Sequence, residues 1–264
     1  MRKYFFIFKY YVERILVYRI RILIWFFCDI VNFVVFPFIW LHIYGSRTTI
    51  GDFTREDLVT YYIILALISA GFTSHISKYV REDIMKGDLN RSLTRPEPYF
   101  IRHYLSEVAY KSISCIIALC IAFVIWLIVP QYIVLPASLF TILFFVLSLF
   151  FAFSISQCIE YIIGLCSFWL GETRALTHTS EMLSMLFAGS IAPLSFFPVF
   201  FQKIAAVLPF KFIGFVPAQI YLGQLSRSEI YQELLLATGW LCILGLLIWY
   251  MWRRGLKVYE GVGI

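Results

Sequence analysis

Residue types that could support metal or redox chemistry are few in this sequence, and their spacing is unfavourable. The six cysteines form no C-x-x-C pair, and the four histidines show no H-E-x-x-H spacing. Zinc sites and disulfide frameworks normally require closely spaced ligands of these types. The sequence therefore supports neither kind of site, and the cysteines are expected to act as small polarizable hydrophobes within helices.

Sequence signals for hydrolysis or phosphate binding are equally weak. Ser190 follows Gly189, but no G-x-S-x-G elbow and no spaced Ser/His pair surrounds it. The sequence also contains no G-x-x-x-x-G-K-[ST] phosphate loop, so we expect no ATP binding of the usual P-loop kind in this chain. We expect no catalytic residue, bound cofactor or metal site here.

Polar residues inside the apolar runs are the remaining candidates for function, because ionisable groups within a membrane are functional candidates by default. A structural or interfacial role is the alternative for Asp29, which lies about two turns from Arg21, and for Glu160 near the end of its run. The set comprises Asp29, Asn32, Ser69, Thr73, Ser74, His75, Gln157 and Glu160.

The elements that must position these residues are transmembrane helices. Hydrophobic residues make up 61% of the chain and charged residues only 14%, against roughly 25% charged residues in soluble domains. Apolar runs of about 18 residues or more recur, each long enough to cross the hydrocarbon layer as a helix. We predict an all-α integral membrane protein, a single transmembrane domain over 1–264 with six spans. The predicted spans are 22–44, 58–78, 107–129, 136–160, 175–194 and 232–252.

The distribution of basic residues predicts the orientation of these spans. With six spans, seventeen lysines and arginines fall on the side that holds both termini, and five fall on the other side. Basic residues accumulate in short cytoplasmic loops, so both termini are expected in the cytoplasm, with the chain in the cytoplasmic (inner) membrane. The net charge of +6 is then a topological signal, and no nucleic-acid partner is expected.

The first segment, 1–21, has the pattern of a helix lying along the membrane surface. One helical face carries Ile7, Phe8, Tyr11, Val12 and Ile15, and Arg2, Lys9 and Glu13 fall opposite. This separation is typical of an interfacial helix. Such a helix either anchors the chain or also contacts a cytoplasmic partner. The first apolar run lacks a cleavage site, so we expect it to remain as a span.

The longest polar stretch, 79–105, contains specific helix boundaries. Gly87 can end one helix by adopting a positive φ, and Asp88 can cap a new short helix. Pro96 must stop that helix, and Pro98 can open the next one. The pattern predicts a short helix held between two spans, with the shape of a docking element. The alternative is a solvated loop that only separates the spans.

The apolar region 193–231 is interrupted by Pro193, Pro198, Pro209 and Pro217. The resulting helical pieces are too short to cross the membrane. Irregular backbone at membrane depth is tolerated only where it packs against protein or lines a cavity. We therefore predict two short re-entrant helices on the outer side.

Three stretches of this sequence resemble type-2 ATP-binding-cassette (ABC) exporter permeases, in particular a branch of small six-span subunits. With the six-span layout they cover nearly the whole chain. The stretches are DIMKGDLNRSLTRP at 83–96, AGSIAPLSFFP at 188–198 with LPF at 208–210, and RRGLKVYEGVG at 253–263.

The resemblance implies that the 79–105 loop couples the chain to a separate ABC ATPase subunit, which binds ATP and Mg. It also implies outer re-entrant helices in 193–231. Residues expected in the coupling contact are Asp83, Met85, Gly87, Asp88, Leu89, Arg91 and Pro96.

In such families two permeases, the same or homologous, pair in the bilayer, and the translocation path runs between them near spans two and five. Candidate path residues here are Ser69, Thr73, Ser184 and Gly189. The implied function is export of a substrate that the sequence does not identify. Lipid-linked molecules, peptides, antibiotics and polysaccharides are all compatible with it.

Three other classes of protein remain as alternatives. A secondary transporter ordinarily shows internal repeats or a pair of broken helices around a central ion site. An intramembrane enzyme needs a nucleophile beside a base, or two carboxylates facing one cavity. A purely structural assembly protein is the third. ATP-dependent transport in vesicles that contain the paired ATPase separates the exporter from all three.

Overall fold

A computed structural model describes residues 2–17, 19–45, 47, 49–51, 53–95 and 98–260. Its described part is almost entirely helical. The helices are α1 (Arg2–Val17), α2 (Arg19–Tyr44), α3 (Arg55–Phe72), α4 (Ser77–Met85), α5 (Asp88–Leu93), α6 (Tyr99–Ile128), α7 (Leu139–Leu165), α8 (Ser167–Leu170), α9 (Arg174–Phe187), α10 (Val199–Val207), α11 (Phe215–Leu222) and α12 (Arg227–Val258). Three 3-10 turns occupy Pro130–Tyr132, Leu194–Phe196 and Pro209–Phe212, and two-residue strands β1 (Thr49–Ile50) and β2 (Phe53–Thr54) form a small hairpin.

Four stretches of the described chain are long and apolar enough to cross a membrane, which confirms the all-α membrane class. They coincide with the predicted second, third, fourth and sixth spans and cover Arg55–Met85, Tyr99–Ile128, Leu139–Leu170 and Arg227–Val258. In the predicted first span, the described apolar part of α2, Phe33–Tyr44, is shorter than these four stretches. The fifth corresponds to α9, which has 14 residues. The total of six spans therefore stays a prediction.

Several helices extend beyond the predicted spans, because hydropathy marks only the apolar part of a helix. Helix α12 begins at Arg227 instead of residue 232, since Ser226 and Glu229 form a capping box at its start. A second capping box, between Thr54 and Asp57, begins α3 directly after the hairpin. Helix α6 begins at Tyr99, directly after Pro98.

Helix α1 has the amphipathic face that the sequence predicts. Its five predicted apolar residues are half-buried, whereas Lys9 and Glu13 are exposed and form an ion pair of 3.7 Å. The helix packs against α6. Arg2 belongs to the predicted polar face, but its side chain lies outside the described part of the chain. The contact with the membrane interface stays a prediction.

Helix α3 lies at the centre of the fold and packs against α2, α6, α7 and α11. Its first half carries Tyr61 and Tyr62, whose rings are buried but whose hydroxyls need hydrogen-bond partners. Tyr61 donates to the carbonyl of Gly189 at 2.8 Å, and Tyr62 donates to that of Ile191 at 2.8 Å. These bonds fix the turn after α9 against the first half of α3.

The proline-rich region folds into short pieces, as predicted. Helix α10 has nine residues and α11 has eight. At about 1.5 Å per residue neither can cross a hydrocarbon layer of about 30 Å. Lys211, in the turn between them, lies 2.7 Å from the Glu233 carboxylate and ties this region to α12. Because both side chains are largely buried, removing one partner would leave the other charge uncompensated.

Close packing of α4 on α7 requires a glycine at residue 164. A Cβ added to Gly164 would lie 2.6 Å from the Cβ of Val80, a separation that forces the helices apart. By contrast, a Cβ added to Gly245 in α12 would meet no atom within 4 Å.

Replacing Gly164 by Ala should therefore lower the thermal unfolding temperature of the purified protein in detergent. Gly245→Ala is the matched control, and it should leave that temperature unchanged or raise it, since alanine favours helix by about 1 kcal/mol over glycine. Equal unfolding temperatures for both variants would contradict the packing described here.

Candidate functional site

The predicted second span, 58–78, is broken near its C-terminal end. Helix α3 ends at Phe72, residues 73–76 leave the helical hydrogen-bond pattern, and α4 begins at Ser77. Thr73 has extended backbone angles, φ −95° and ψ 144°, and its hydroxyl donates to the carbonyl of Ser69 at 2.6 Å. Threonine and serine offer such local hydrogen bonds to the backbone and so compete with helix continuation.

The break exposes backbone N–H groups, and neighbouring helices satisfy them. The N–H of Ser74 donates to Ser156 Oγ at 2.8 Å, and the N–H of His75 donates to Glu107 Oε1 at 3.2 Å. The N–H of Ser77 donates to Glu160 Oε2 at 3.3 Å.

Both carboxylates at the break are buried, Glu107 with 7% and Glu160 with 6% of its surface exposed. Glu160 lies at the N-terminus of α4, where the helix dipole favours negative charge. Glu160 therefore has a structural role as the acceptor for the Ser77 N–H, one of the alternatives that the sequence left open.

A cavity of about 290 Å³ adjoins the break. Three of the four predicted path residues line it: Ser69 and Thr73 from α3 and the segment after it, and Ser184 from α9. Gly189 is absent from the lining, although its neighbours Ala188 and Ser190 contribute to it. Gly189 adopts φ +80°, and an added Cβ would collide with the Tyr61 hydroxyl, so its role here is to permit a turn.

Sequence reasoning missed Ser156 of α7 and two polar side chains of the cavity on α9, Ser180 and Glu181. With Ser184, the latter two occupy one side of α9 at spacings of three and four residues, which is the helical period. That periodicity was a usable signal. Residues His75 and Glu160, recognised from the sequence as intramembrane polar residues, also line the cavity.

The second candidate site is the segment that joins α4 to α5. Gly87 adopts φ 76° and ends α4, as predicted. Asp88 does not cap α5: Gly87 occupies the capping position without a side-chain hydrogen bond, and Asp88 is the first helical residue. Only Lys86 and Gly87 separate the two helices, so Asp88 is already helical and the capping role predicted for it was wrong. Its negative charge still suits a helix N-terminus.

Helix α5 ends at Leu93 with Thr94 at its C-cap, and Pro98 takes the capping position before α6. Pro96 lies outside the described residues, so its predicted role in stopping the helix is untested.

The α4–α5 segment is packed against the rest of the protein. Asp83 Oδ2 accepts from the Tyr99 hydroxyl at 3.0 Å and lies 3.0 Å from His103 Nε2. Leu89 is completely buried. Arg102 donates to Ser92 Oγ at 2.6 Å. These contacts hold both helices against the first turns of α6.

The predicted coupling residues therefore divide into two groups. Asp83 and Leu89 face the protein and support the segment, and Met85 is half-buried. Asp88 and Arg91 are exposed, as is Leu93, which has 45% of its surface accessible. An exposed leucine between charged residues gives this face both an apolar and a polar part.

Helix α4 also contacts the start of α9. Arg81 lies 3.1 Å from Glu172 in the turn before α9, and Ser77 Oγ lies 3.3 Å from Thr177 Oγ1. The backbone N–H of Arg174 donates to Glu172 and holds the pKa of that carboxyl below its ordinary value. Glu172 therefore stays charged at neutral pH, as the pair with Arg81 requires.

Within the described ranges, no group of three or more histidine, cysteine, aspartate or glutamate side chains is arranged to hold a metal ion. The two sites consist instead of a cavity beside a broken span and a braced helical segment with an exposed face. These features belong to a helical membrane protein with a cavity beside one of its apolar helices.

A family model described as "ABC-2 family transporter protein" matches residues 26–263. The match covers most of the chain, and the chain belongs to the ABC-2 transporter family. It is therefore a membrane component of that class of transporter. No curated protein and no solved structure matched the chain.

Removing the hydroxyl of Ser156 should destabilise the break. Ser156→Ala leaves the N–H of Ser74 without an acceptor, which costs about 1–3 kcal/mol for a buried donor. Ser148→Ala is the matched control on the same helix, because the buried Ser148 hydroxyl donates only to the carbonyl of Phe145, within α7.

Thermal or denaturant unfolding in detergent micelles measures the two costs. Ser156→Ala should lose more stability than Ser148→Ala. The reverse order would contradict the assignment of Ser156 as the acceptor that stabilises the break.

Proposed function

We propose that this chain is the permease subunit of an ABC exporter, which moves a substrate out across the cytoplasmic membrane. A separate ATPase subunit binds ATP and Mg and supplies the energy. A second permease, the same or homologous, pairs with it around the path. Family membership and the exposed, braced α4–α5 segment support this assignment.

The observation that carries the proposal is the way α4 joins the two candidate sites. Its C-terminal end leads through Gly87 into the exposed helix α5, and its N-terminal end lies at the break, beside the cavity. A nine-residue helix is a rigid element of about 13 Å. A displacement of α5 by a bound ATPase would therefore be transmitted to the cavity wall.

The contacts of α4 with α9 extend this argument. Arg81 and Ser77 connect α4 to Glu172 and Thr177, near the start of α9. Ser184, on the same helix, lines the cavity. Movement of α4 would thus act on both walls of the candidate path, which agrees with a path near spans two and five.

In the proposed topology α2 and α9 are the first and fifth of six spans, and α10 and α11 are the outer re-entrant helices. The seventeen-to-five distribution of basic residues supports cytoplasmic termini. The α4–α5 segment then faces the cytoplasm, where an ATPase subunit can reach it, and Lys203 in α10 faces the opposite side.

ATP-independent secondary transport is the alternative, and the broken span with two buried carboxylates is the observation that favours it. That class usually has a pair of broken helices. In the described structure α6 and α12 run unbroken through their apolar stretches, and α7 does so to Leu165.

Two substitutions in the α4–α5 segment test the coupling role. Gly87→Val places a β-branched residue at φ 76°, at a cost of about 1–3 kcal/mol, and should misdirect α5. Arg91→Glu should leave the backbone intact and reverse one exposed charge, changing electrostatic complementarity with a partner. Both variants should insert normally but retain less ATPase on co-purification, or hydrolyse ATP without export.

The matched controls are Gly223→Val and Lys203→Glu. Gly223 has φ +69° and open space around its Cβ position, and Lys203 is exposed in α10. Both controls should retain the ATPase. If Gly87→Val and Arg91→Glu bind the ATPase and transport normally, the coupling role is wrong. If Lys203→Glu alone loses the ATPase, the orientation is wrong.

A further inference from the structure

The charged groups that line the cavity are acidic. Glu160 from α7 and Glu181 from α9 contribute carboxylates, and His75 contributes an imidazole. The described lining contains no lysine or arginine. Lys111 is close in sequence to Glu107, but its amino group is directed to the carbonyl of Ala70 at 3.3 Å and does not line the cavity. Glu181 also lies 3.1 Å from His178 Nδ1 on the same helix. The described lining itself therefore offers carboxylates to a positively charged group.

The lining is also divided along its length. Hydroxyl groups and carboxylates cluster around the break and the adjacent turns of α7 and α9. Toward the other end, Tyr62 lies eleven residues before Thr73 along the chain, about 16 Å away on the α3 helix, and Phe36 stacks on it with ring centroids 5.5 Å apart. One end can thus bind a polar headgroup, and the other can bury an apolar body.

The polar end retains hydrogen-bonding capacity. Ser74 Oγ is buried in the cavity lining and makes no hydrogen bond of good geometry within the described chain, although the Glu107 carboxylate lies close to it. Glu160 accepts from one backbone N–H, and a carboxylate has about four acceptor positions. A ligand at this end would meet both groups.

We propose that this cavity binds an amphipathic organic cation, with an amine or quaternary ammonium group beside Glu160 and Glu181 and an apolar body between the aromatic rings. Carboxylates attract the charge directly, and the aromatic rings at the other end bury the apolar body. The cavity volume is near the lower limit of about 300 Å³ for small-molecule pockets, which suits a compact ligand. This inference deepens the proposed function, since the bound cation would be the exported substrate class.

Two probes with the same tail and opposite charge test the proposal. Hexyltrimethylammonium and hexanesulfonate share a hexyl chain and differ in the headgroup. Equilibrium dialysis against the purified full chain in phosphatidylcholine nanodiscs, with empty nanodiscs subtracted, gives both affinities. The cation should bind at least about tenfold more tightly than the anion, which corresponds to about 1.4 kcal/mol.

Neutral variants locate the binding. Glu181→Gln and Glu160→Gln should each weaken cation binding about threefold or more, because each removes one attracting charge. Glutamine at residue 160 keeps an acceptor for the Ser77 N–H, so the break should persist. Glu13→Gln removes a carboxylate on the exposed face of α1, which is not part of the cavity lining, and should leave cation binding unchanged.

Equal binding of the two probes, stronger binding of the sulfonate, or no binding of either would overturn the proposal. An unchanged cation affinity in Glu181→Gln would also overturn it. This result suffices even if Glu160→Gln proves unstable. The assay contains neither ATP nor ATPase, so failure here leaves the coupling role intact. Conversely, loss of that role in the co-purification experiment leaves these affinities unaffected.

Discussion

Backbone N–H groups that lie in an apolar environment must find acceptors within the protein, because the surrounding lipid offers none. The break at residues 73–76 places several such groups inside the predicted second span. Ser156, Glu107 and Glu160 provide the acceptors, from helices far away in sequence. The positions of α6 and α7 around α3 are therefore constrained by hydrogen bonding as well as by apolar packing.

Under the proposed function, this constraint would let one chain combine a stable core with a movable cavity wall. The first half of α3 is buried and tied by Tyr61 and Tyr62 to the turn after α9. Helix α4 is a separate rigid unit, held by Gly164 packing, Asp83 and the buried Leu89. Under the proposed coupling role, movement between these two units would concentrate at residues 73–76, next to the cavity.

The sequence predicted those features that depend on local chemistry. Hydropathy located the main spans, four prolines divided the 193–231 region, and Gly87 was recognised because its turn needs a positive φ. The break in the second span could not be predicted, since its stability depends on Glu107 and Glu160 from other helices. For the same reason the pattern could not show that Asp83 and Leu89 face inward whereas Arg91 faces outward.

The central claim is that movement at the exposed α5 face reaches the cavity through α4. Thiol modification of Ser184→Cys, in a cysteine-free variant assembled with its ATPase, tests it most directly. The rate should differ between the nucleotide-free and ATP-bound states, whereas Leu135→Cys, exposed in the segment between α6 and α7, should react at one rate in both. An unchanged rate at residue 184 would contradict the claim.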